Sequence, residues 1–205
     1  ISRGLVGSEM CIRDRGSGGL YSISVLRGII GAGHKCYLVT SKPGRRILSL
    51  ETDTKLSGSA DKDKKILVDK YGLDENLLEV IDENDVGASI ASGSFRTSGM
   101  AIVPCSTGSL GSLANGISRG LIERAADVCL KERRKLIIVP RETPYSLIHL
   151  ENMTKLTRAG AIVLPASPGF YNLPEKIEDL VDMISSRVLE KLDIEPENLK
   201  EWKGE

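Results

Sequence analysis

Four consecutive aliphatic residues at positions 136–139, closed by Pro140, constrain the fold of this chain more than any other feature. A short, continuous apolar run is typical of a parallel strand that is buried on both faces of a sheet. Pro140 has no N–H group and therefore ends the ladder. Three further apolar runs end before a proline or a hydroxyl residue, at residues 36–40, 100–103 and 161–164. The sequence therefore predicts a sheet of buried parallel strands.

Segments with a helical spacing of apolar residues separate these strands. Helices are predicted at residues 20–31, 44–50, 85–91, 121–130, 146–159 and 177–192. Residues 66–71 are expected to form at most a short helix, and residues 77–81 a further strand. The alternation of strands and helices indicates an α/β fold with a mainly parallel sheet and right-handed crossovers. A chain of 205 residues that is 40% hydrophobic can bury one sizeable core, so we expect a single domain.

The composition argues against several classes of function. Lys and Arg together number 28, as do Asp and Glu, so no net charge attracts nucleic acid or an anionic membrane surface. No apolar run approaches the roughly 20 residues that span a bilayer. The four cysteines lie too far apart for a zinc ribbon or a CxxC redox pair. We therefore expect a cytoplasmic protein with reduced thiols that binds neither nucleic acid nor membranes.

Residues 1–15 fit poorly with the sequence that follows. A glycine-rich turn that opens a helix, such as residues 16–21, normally follows an apolar strand. Here four of the seven residues at positions 9–15 are charged. The first strand is therefore predicted to be missing or spoiled, and we interpret residues 1–15 as foreign to the gene and residues 16–205 as the folded domain. An unchanged reading frame through these codons in genomic DNA would refute the foreign origin.

Polar residues follow the predicted strands at the points where they end. Because the carboxyl ends of parallel strands meet at one edge of a sheet, ligands collect there. A fixed cation, Arg141, and a carboxylate, Glu142, stand directly beyond the strand that Pro140 closes. The backbone N–H groups of the turn at 16–19 would face an anion at the amino end of the next helix. The same edge is expected to receive Ser17, Ser41, residues 106–109 and the loop 165–171.

Several motifs resemble those of one enzyme family. In chain order they are GSGGLY at residues 16–21, LVTSKPGR at 38–45, AADVCLKERR at 125–134, VPRETP at 139–144 and GAIVLPASPGFYNLP at 160–174. The chain is similar to the flavin prenyltransferase (UbiX) family from about residue 16 to residue 202. The motifs AADVxLKERR and VPRETP are highly specific for this family.

The resemblance implies a flavodoxin-like or Rossmann-like three-layer enzyme that forms homo-oligomers, commonly dodecamers. Such an enzyme joins the dimethylallyl group of dimethylallyl phosphate to N5 and C6 of reduced FMN without a metal ion. Its product, prenylated FMN, serves UbiD-type decarboxylases and is linked to ubiquinone biosynthesis. The flavin prenyltransferase domain would then occupy residues 16–205.

The matching motif positions imply a role for each candidate residue. The residues that would contact FMN are Gly16, Ser17, Ser41, Ser106, Thr107, Gly108, Ser109 and Arg141. The residues that would hold the prenyl phosphate are Arg124, Lys131, Tyr171 and Arg187, with Trp202 near the active site. The catalytic residues would be Glu51, Glu142 and Tyr171, with no particular step assigned to Glu51.

These residue types suit the implied chemistry. Ionisation of an allylic phosphate without a metal requires fixed cations on the leaving group, which Arg124, Lys131 and Arg187 can supply. Tyr171 could stabilise the allylic cation by about 1 to 2 kcal/mol as a cation–π partner. Glu142 is a candidate base for the proton that leaves when the second bond forms, and the released phosphate is the alternative base.

The sequence departs from the family pattern at two places. Arg15 stands where the family has glycine before the Ser17 turn, and its side chain would crowd the approach of the backbone to a phosphate. Thr107 and Gly108 stand where many relatives carry a larger residue and a lysine. One possible cation near the phosphate is therefore lost.

Two alternative functions are compatible with the same broad fold. A flavin-dependent cysteine decarboxylase would oxidise a peptidyl or pantothenoyl cysteine, but PCSTGS at residues 104–109 replaces the PASANT-type loop of that class. A non-catalytic FMN-binding protein is the second alternative. Mass spectrometry of the flavin after incubation with dimethylallyl phosphate would separate all three.

Overall fold

Parallel strands form one sheet in the protein. The computed structural model describes residues 8–13, 17–170 and 173–195, and within these ranges the strand order is β3-β2-β1-β4-β5-β6. The strands are β1 (Ser8–Arg13), β2 (Lys35–Thr40), β3 (Leu78–Ile81), β4 (Gly99–Cys105), β5 (Lys135–Pro140) and β6 (Ile162–Val163). The helices are α1 (Gly19–Gly31), α2 (Lys42–Thr52), α3 (Ala60–Tyr71), α4 (Thr107–Ala114), α5 (Leu121–Lys131), α6 (Leu147–Arg158) and α7 (Ile177–Lys191).

The order of the strands creates a crevice beside β1. From β1 the chain winds outward through β2 to β3, crosses back to β4 on the other side of β1, and winds outward again to β6. This reversal is the topological switch point of a doubly wound sheet, where ligands bind at the carboxyl ends of the strands. The strand order is that of Rossmann-like folds and confirms the predicted α/β class.

Helices cover both faces of the sheet and give three layers. On one face α1, α2, α3 and α7 share a core with the strands, in which Leu26 and Val188 are buried. On the other face α4, α5 and α6 bury a second core, which includes Leu110 and Leu156. Helices α5 and α7 therefore lie on opposite faces. None of the helices in the ranges given above is long and apolar enough to cross a bilayer.

The first strand, which the sequence predicts to be missing or spoiled, lies inside the sheet. Residues Ser8–Arg13 pair with β2 on one side and with β4 on the other. The prediction is wrong because the ladder joins main-chain N–H and C=O groups, so pairing on both sides can order a segment with a weak apolar pattern. The foreign origin of residues 1–15 stays a prediction, and residues 1–7 and 14–16 lie outside the described residues.

Three other elements differ from the sequence-based expectation. Helix α3 has 12 residues, whereas the sequence predicts at most a short helix. The prediction is too short because charged residues in the first half of α3 obscure its apolar stripe. The helix expected at 85–91 is instead a turn, in which Asp85 Oδ1 accepts from the N–H of Gly87 at 3.1 Å. A short 3-10 turn at Ser89–Ala91 follows it. Pro104 does not end β4 but lies within it, where the register against β5 shifts.

Candidate active site

The turn after β1 meets the ends of β4 and β5 at the switch point. Nε of Arg141, directly beyond β5, donates to the carbonyl oxygen of Ser17 at 3.2 Å. A Cβ atom on Gly18 would lie 3.6 Å from Cβ of Pro104 in β4. The structure therefore brings together Ser17 and Arg141, which the sequence predicts to share this edge.

Gly18 shapes the turn that opens α1. Its φ of 122° lies in the left-handed region that favours glycine. A Cβ atom at this position would lie 2.8 Å from Cδ2 of Tyr21, closer than side chains tolerate. Both facts require a residue without a side chain, and the bare backbone can approach a ligand closely.

Glu51, near the end of α2, binds the amino end of α1. Its Oε2 accepts from the N–H groups of Gly18 at 3.0 Å and Gly19 at 2.6 Å. A carboxylate is favoured there because the helix dipole and the N–H groups of the first turn attract negative charge. The structure thus places Glu51 at the ligand edge, 33 residues along the chain from the Gly18 that it holds.

Residues 106–109 open α4 and offer a second anion site at the same edge. Oγ of Ser106, the N-cap, accepts from the N–H of Ser109 at 3.2 Å. The N–H groups of a first helical turn have no acceptor within the helix, so they can bind an anion. Apart from its chain neighbours and the backbone of its own helix, the described atom nearest to a Cβ built on Gly108 is Oγ of Ser106, at 3.9 Å. The turn at Thr107 and Gly108 is therefore open to a phosphate group.

Ser41 follows β2 and caps α2. Its buried Oγ accepts from the N–H of Gly44 at 3.1 Å. Arg45, on the same helix, donates from Nη1 to the Thr40 carbonyl at 2.6 Å and from Nη2 to Glu83 Oε1 at 3.0 Å. The pair of Arg45 and Glu83 ties the first turn of α2 to the segment after β3, next to Ser41 at the sheet edge.

Glu142 lies in the loop between β5 and α6 and is half-buried. Its Oε1 accepts from the N–H of Thr143 at 3.0 Å. The loop ends in a capping box, in which Oγ of Ser146 accepts from the N–H of His149 at 3.3 Å, and Nδ1 of His149 accepts from the N–H of Ser146 at 3.2 Å. The bond from Thr143 orients the Glu142 carboxylate directly beyond β5, at the edge where the sequence predicts it, and the capping box fixes the far end of the loop.

Two tyrosines that the sequence pattern did not indicate lie beside these groups. Burial raises the pKa of Tyr21, and the nearby Arg141 guanidinium partly offsets that rise. Burial also raises the pKa of Tyr145, and the Glu142 carboxylate adds to the rise. Both phenols therefore stay protonated at neutral pH and can donate hydrogen bonds. Tyr21 and Tyr145 each follow a site residue by three positions, but this spacing does not show that the rings are buried.

The three cations expected to hold a phosphate each lie beside a carboxylate of their own chain. The pairs are Arg124 with Asp127 at 3.3 Å, Lys131 with Glu132 at 2.5 Å, and Arg187 with Glu190 at 2.6 Å. All three cationic side chains remain 44% to 53% exposed, so a ligand can still reach them.

A single chain does not bring these three cations together. Arg124 and Lys131 lie on α5, whereas Arg187 lies on α7 on the other face of the sheet. They can share one phosphate only where copies of the chain meet. Three predicted site residues, Gly16, Tyr171 and Trp202, lie outside the described residues, so their roles stay predictions.

Similar sequences identify the family. The Flavoprotein family model matches residues 15–189. The chain is 42% identical over 186 residues to Flavin prenyltransferase UbiX of Pseudomonas aeruginosa, a match that covers 91% of this chain and 89% of that protein. It is 40% identical over 188 residues to Flavin prenyltransferase UbiX of Methanothermobacter thermautotrophicus, covering 92% and 91%.

Solved structures agree with this result. The crystal structure of AnUbiX in complex with FMN and dimethylallyl pyrophosphate has a TM-score of 0.87 and 36% identity, covering 97% of this chain and 98% of that one. A dodecameric FMN-dependent UbiX-like decarboxylase from Escherichia coli O157:H7 has a TM-score of 0.85 and 35% identity, covering 96% and 100%. A PPC decarboxylase mutant, 15% identical with a TM-score of 0.58, shares the fold alone and covers 89% of this chain and 95% of that one. The chain therefore belongs to the flavin prenyltransferase (UbiX) family.

Proposed function

We propose that this protein joins the dimethylallyl group of dimethylallyl phosphate to N5 and C6 of reduced FMN. The observation that carries the proposal is the convergence of the amino ends of α1 and α4, Arg141 and Glu51 at the switch point of a sheet of this family. AnUbiX, which has the same fold, was crystallised with FMN and dimethylallyl pyrophosphate, and this supports FMN and a dimethylallyl donor as the ligands.

The residues at this edge fit FMN. The first turn of α4, at residues 106–109, offers N–H and hydroxyl donors to a phosphate group, and the space beside Gly108 can admit it. Ser17, Ser41 and Arg141 line the same edge and would contact the rest of the cofactor. Bound reduced FMN supplies the nucleophilic positions that accept the prenyl group.

The cations of the chain would bind the phosphate that leaves. Charge grows on this phosphate as its C–O bond breaks, so hydrogen bonds from Arg124, Lys131 and Arg187 strengthen at that moment. Each cation already has a carboxylate neighbour, and such exposed ion pairs contribute little stability. The ligand phosphate can therefore replace the carboxylates at small cost.

Glu142 would act as the base that removes the proton from the flavin. Its carboxylate is held by the N–H of Thr143, and the neighbouring Tyr145 can donate a hydrogen bond within the site. A carboxylate fixed at the sheet edge can accept the proton that leaves when the second bond to the flavin forms. Glu51 would keep the turn at Gly18 and Gly19 in place beside it.

The complete site would form only in an oligomer. The UbiX-like relative from Escherichia coli O157:H7 is dodecameric, and we extend this assembly to the present chain. Leu147 and Ile148 on α6 are 70% and 68% exposed, and burying apolar side chains of this size between copies would stabilise the assembly. The product would be made in the cytoplasm and passed to a UbiD-type decarboxylase.

The reaction can be tested with purified protein, reduced FMN and dimethylallyl phosphate under anaerobic conditions. We expect mass spectrometry of the released flavin to show one added dimethylallyl group, and a reaction without dimethylallyl phosphate is the control. Unmodified flavin from folded, FMN-loaded protein would contradict the proposal and favour a non-catalytic FMN-binding protein. Oxidative decarboxylation of a peptidyl or pantothenoyl cysteine would instead identify a cysteine decarboxylase.

A further inference from the structure

Segment 91–95, which precedes β4, is tied to the turn that follows α5. Nη1 of Arg134 donates to the carbonyl oxygen of Phe95 at 2.6 Å, and Nη2 donates to that of Gly93 at 2.5 Å. The ring of Phe95 also packs edge-on against Tyr37, with 5.3 Å between the ring centroids. Because the donors of a guanidinium point in fixed directions, the two bonds from Arg134 set both the position and the orientation of the segment.

Gly93 is the point at which this segment touches Lys131. A Cβ atom at position 93 would overlap Oε1 of Glu132 and lie 2.8 Å from Nζ of Lys131. Both atoms are the ends of flexible side chains, so a methyl group would displace them rather than the backbone. The φ of Gly93 is not in the positive region, so the backbone itself accepts alanine.

Arg124 faces the same segment as Lys131. The two residues are seven positions apart on α5, which places them on one side of the helix two turns apart. Nε of Arg124 donates to the carbonyl oxygen of Ala91 at 3.3 Å. Segment 91–95 therefore runs along both of the cations that α5 would contribute to a phosphate site.

Glu132 is the anion that Lys131 holds in the isolated chain. The hydrogen bond from Lys131 keeps the pKa of the Glu132 carboxyl below its ordinary value, so the group stays ionised. A ligand phosphate must take over the ammonium group from this carboxylate. Two features therefore set the direction of the Lys131 side chain: its ion pair with Glu132 and the space beside Gly93.

We infer that Gly93 and Arg134 are positioning residues of the prenyl-phosphate site and act through Lys131. Arg134 holds segment 91–95 against the end of α5, and the missing side chain of Gly93 leaves the space in which the Lys131 ammonium group lies. This inference rests on the proposed function, because it takes Lys131 as a ligand of the phosphate.

Gly93→Ala tests the inference with a minimal change. Isothermal titration calorimetry measures dimethylallyl phosphate binding to protein loaded with oxidised FMN, which cannot complete the reaction. We expect the Kd for dimethylallyl phosphate to rise about tenfold or more, because one charge-assisted hydrogen bond is weakened. The Kd for FMN and the Tm should stay at their wild-type values, since neither depends on Lys131.

Gly87→Ala is the matched control. It adds the same methyl group in an exposed turn, where the new Cβ would lie 3.4 Å from Oδ1 of Asp85, an ordinary contact distance. Neither Kd should change in this variant.

Arg134→Lys is a second, independent variant. Lysine keeps the charge but cannot reproduce the paired donors that reach Gly93 and Phe95, so the Kd for dimethylallyl phosphate should rise while that for FMN does not. A dimethylallyl phosphate Kd within about twofold of wild type in both variants would overturn the inference. Equal weakening of both ligands would also overturn it, because that pattern marks a general loosening of the fold.

The inference and the proposed function can fail separately. A wild-type protein that binds dimethylallyl phosphate but makes no prenylated FMN, with Gly93→Ala still weakened, would reject the proposed function and leave the positioning role standing. A wild-type protein that makes prenylated FMN, with unchanged affinity for dimethylallyl phosphate in Gly93→Ala and Arg134→Lys, would support the proposed function and reject the positioning role.

Discussion

Glu142 is the residue at which catalysis and binding can be separated most sharply. Its carboxylate accepts from the N–H of Thr143 at 3.0 Å, a bond that glutamine can also accept, whereas glutamine cannot take up a proton. We expect Glu142→Gln to slow formation of prenylated FMN by about a hundredfold or more, within the range of general acid–base catalysis. The Kd for FMN should not change. Rapid-quench mass spectrometry of the flavin and titration with FMN measure the two quantities.

Glu75→Gln is the matched control for this substitution. Glu75 is exposed and precedes β3, so it lies at the opposite edge of the sheet from the ligand residues. The variant should turn over at the wild-type rate. A near-normal rate in Glu142→Gln would remove the carboxylate from the mechanism and leave the released phosphate as the base.

Helix α6 depends on the cap that closes the Glu142 loop. Oγ of Ser146 accepts from the N–H of His149, one of the first-turn groups that have no acceptor within the helix. Ser146→Ala is expected to lower the free energy of unfolding by about 1 kcal/mol, or about 2–4 °C in Tm for a domain of this size. Thermal unfolding followed by circular dichroism at one fixed protein concentration measures the shift.

Thr154→Ala provides the comparison on the same helix. It removes an exposed hydroxyl group that bonds the Leu150 carbonyl within the helix, away from the cap. Alanine has the higher helix propensity, so this change should cost no stability. An unchanged Tm in Ser146→Ala would show that the cap contributes nothing to the stability of α6.

The arrangement of the whole molecule predicts that two defective chains can complement each other. Lys131 and Arg187 lie on helices on opposite faces of the sheet, so a phosphate site that contains both, as we propose, takes them from different copies. We expect Lys131→Ala and Arg187→Ala each to be nearly inactive alone. Oligomers co-assembled from both variants should regain part of the activity, measured as prenylated FMN per chain, because some sites receive both intact residues.

Arg124→Ala mixed with Lys131→Ala is the control for complementation. Both residues lie on α5 of one chain, so no site in such a mixture receives an intact α5. No activity should return. Recovery in this mixture, or none in the mixture of Lys131→Ala and Arg187→Ala, would refute a phosphate site shared between copies.

Residues at the ends of strands were predictable because their signal is local. A short apolar run followed by Pro140 is enough to place Arg141 and Glu142 at the ligand edge, and the structure shows both there. The bond between Glu51 and Gly18 was not predictable, because no local pattern encodes a partner 33 residues away. The two tyrosines escaped for a related reason, since their burial comes from neighbouring segments.

The amino-acid sequence by itself determined the α/β class, the sheet edge at which ligand residues gather, and the family. These follow from apolar periodicity, turn residues and motifs, which are properties of neighbouring positions. Only the tertiary structure decided that β1 pairs between β2 and β4, that α5 and α7 lie on opposite faces, and that Gly93 lies against Lys131. These features depend on main-chain ladders and buried cores that join segments far apart in the chain, and no stretch of sequence specifies them alone.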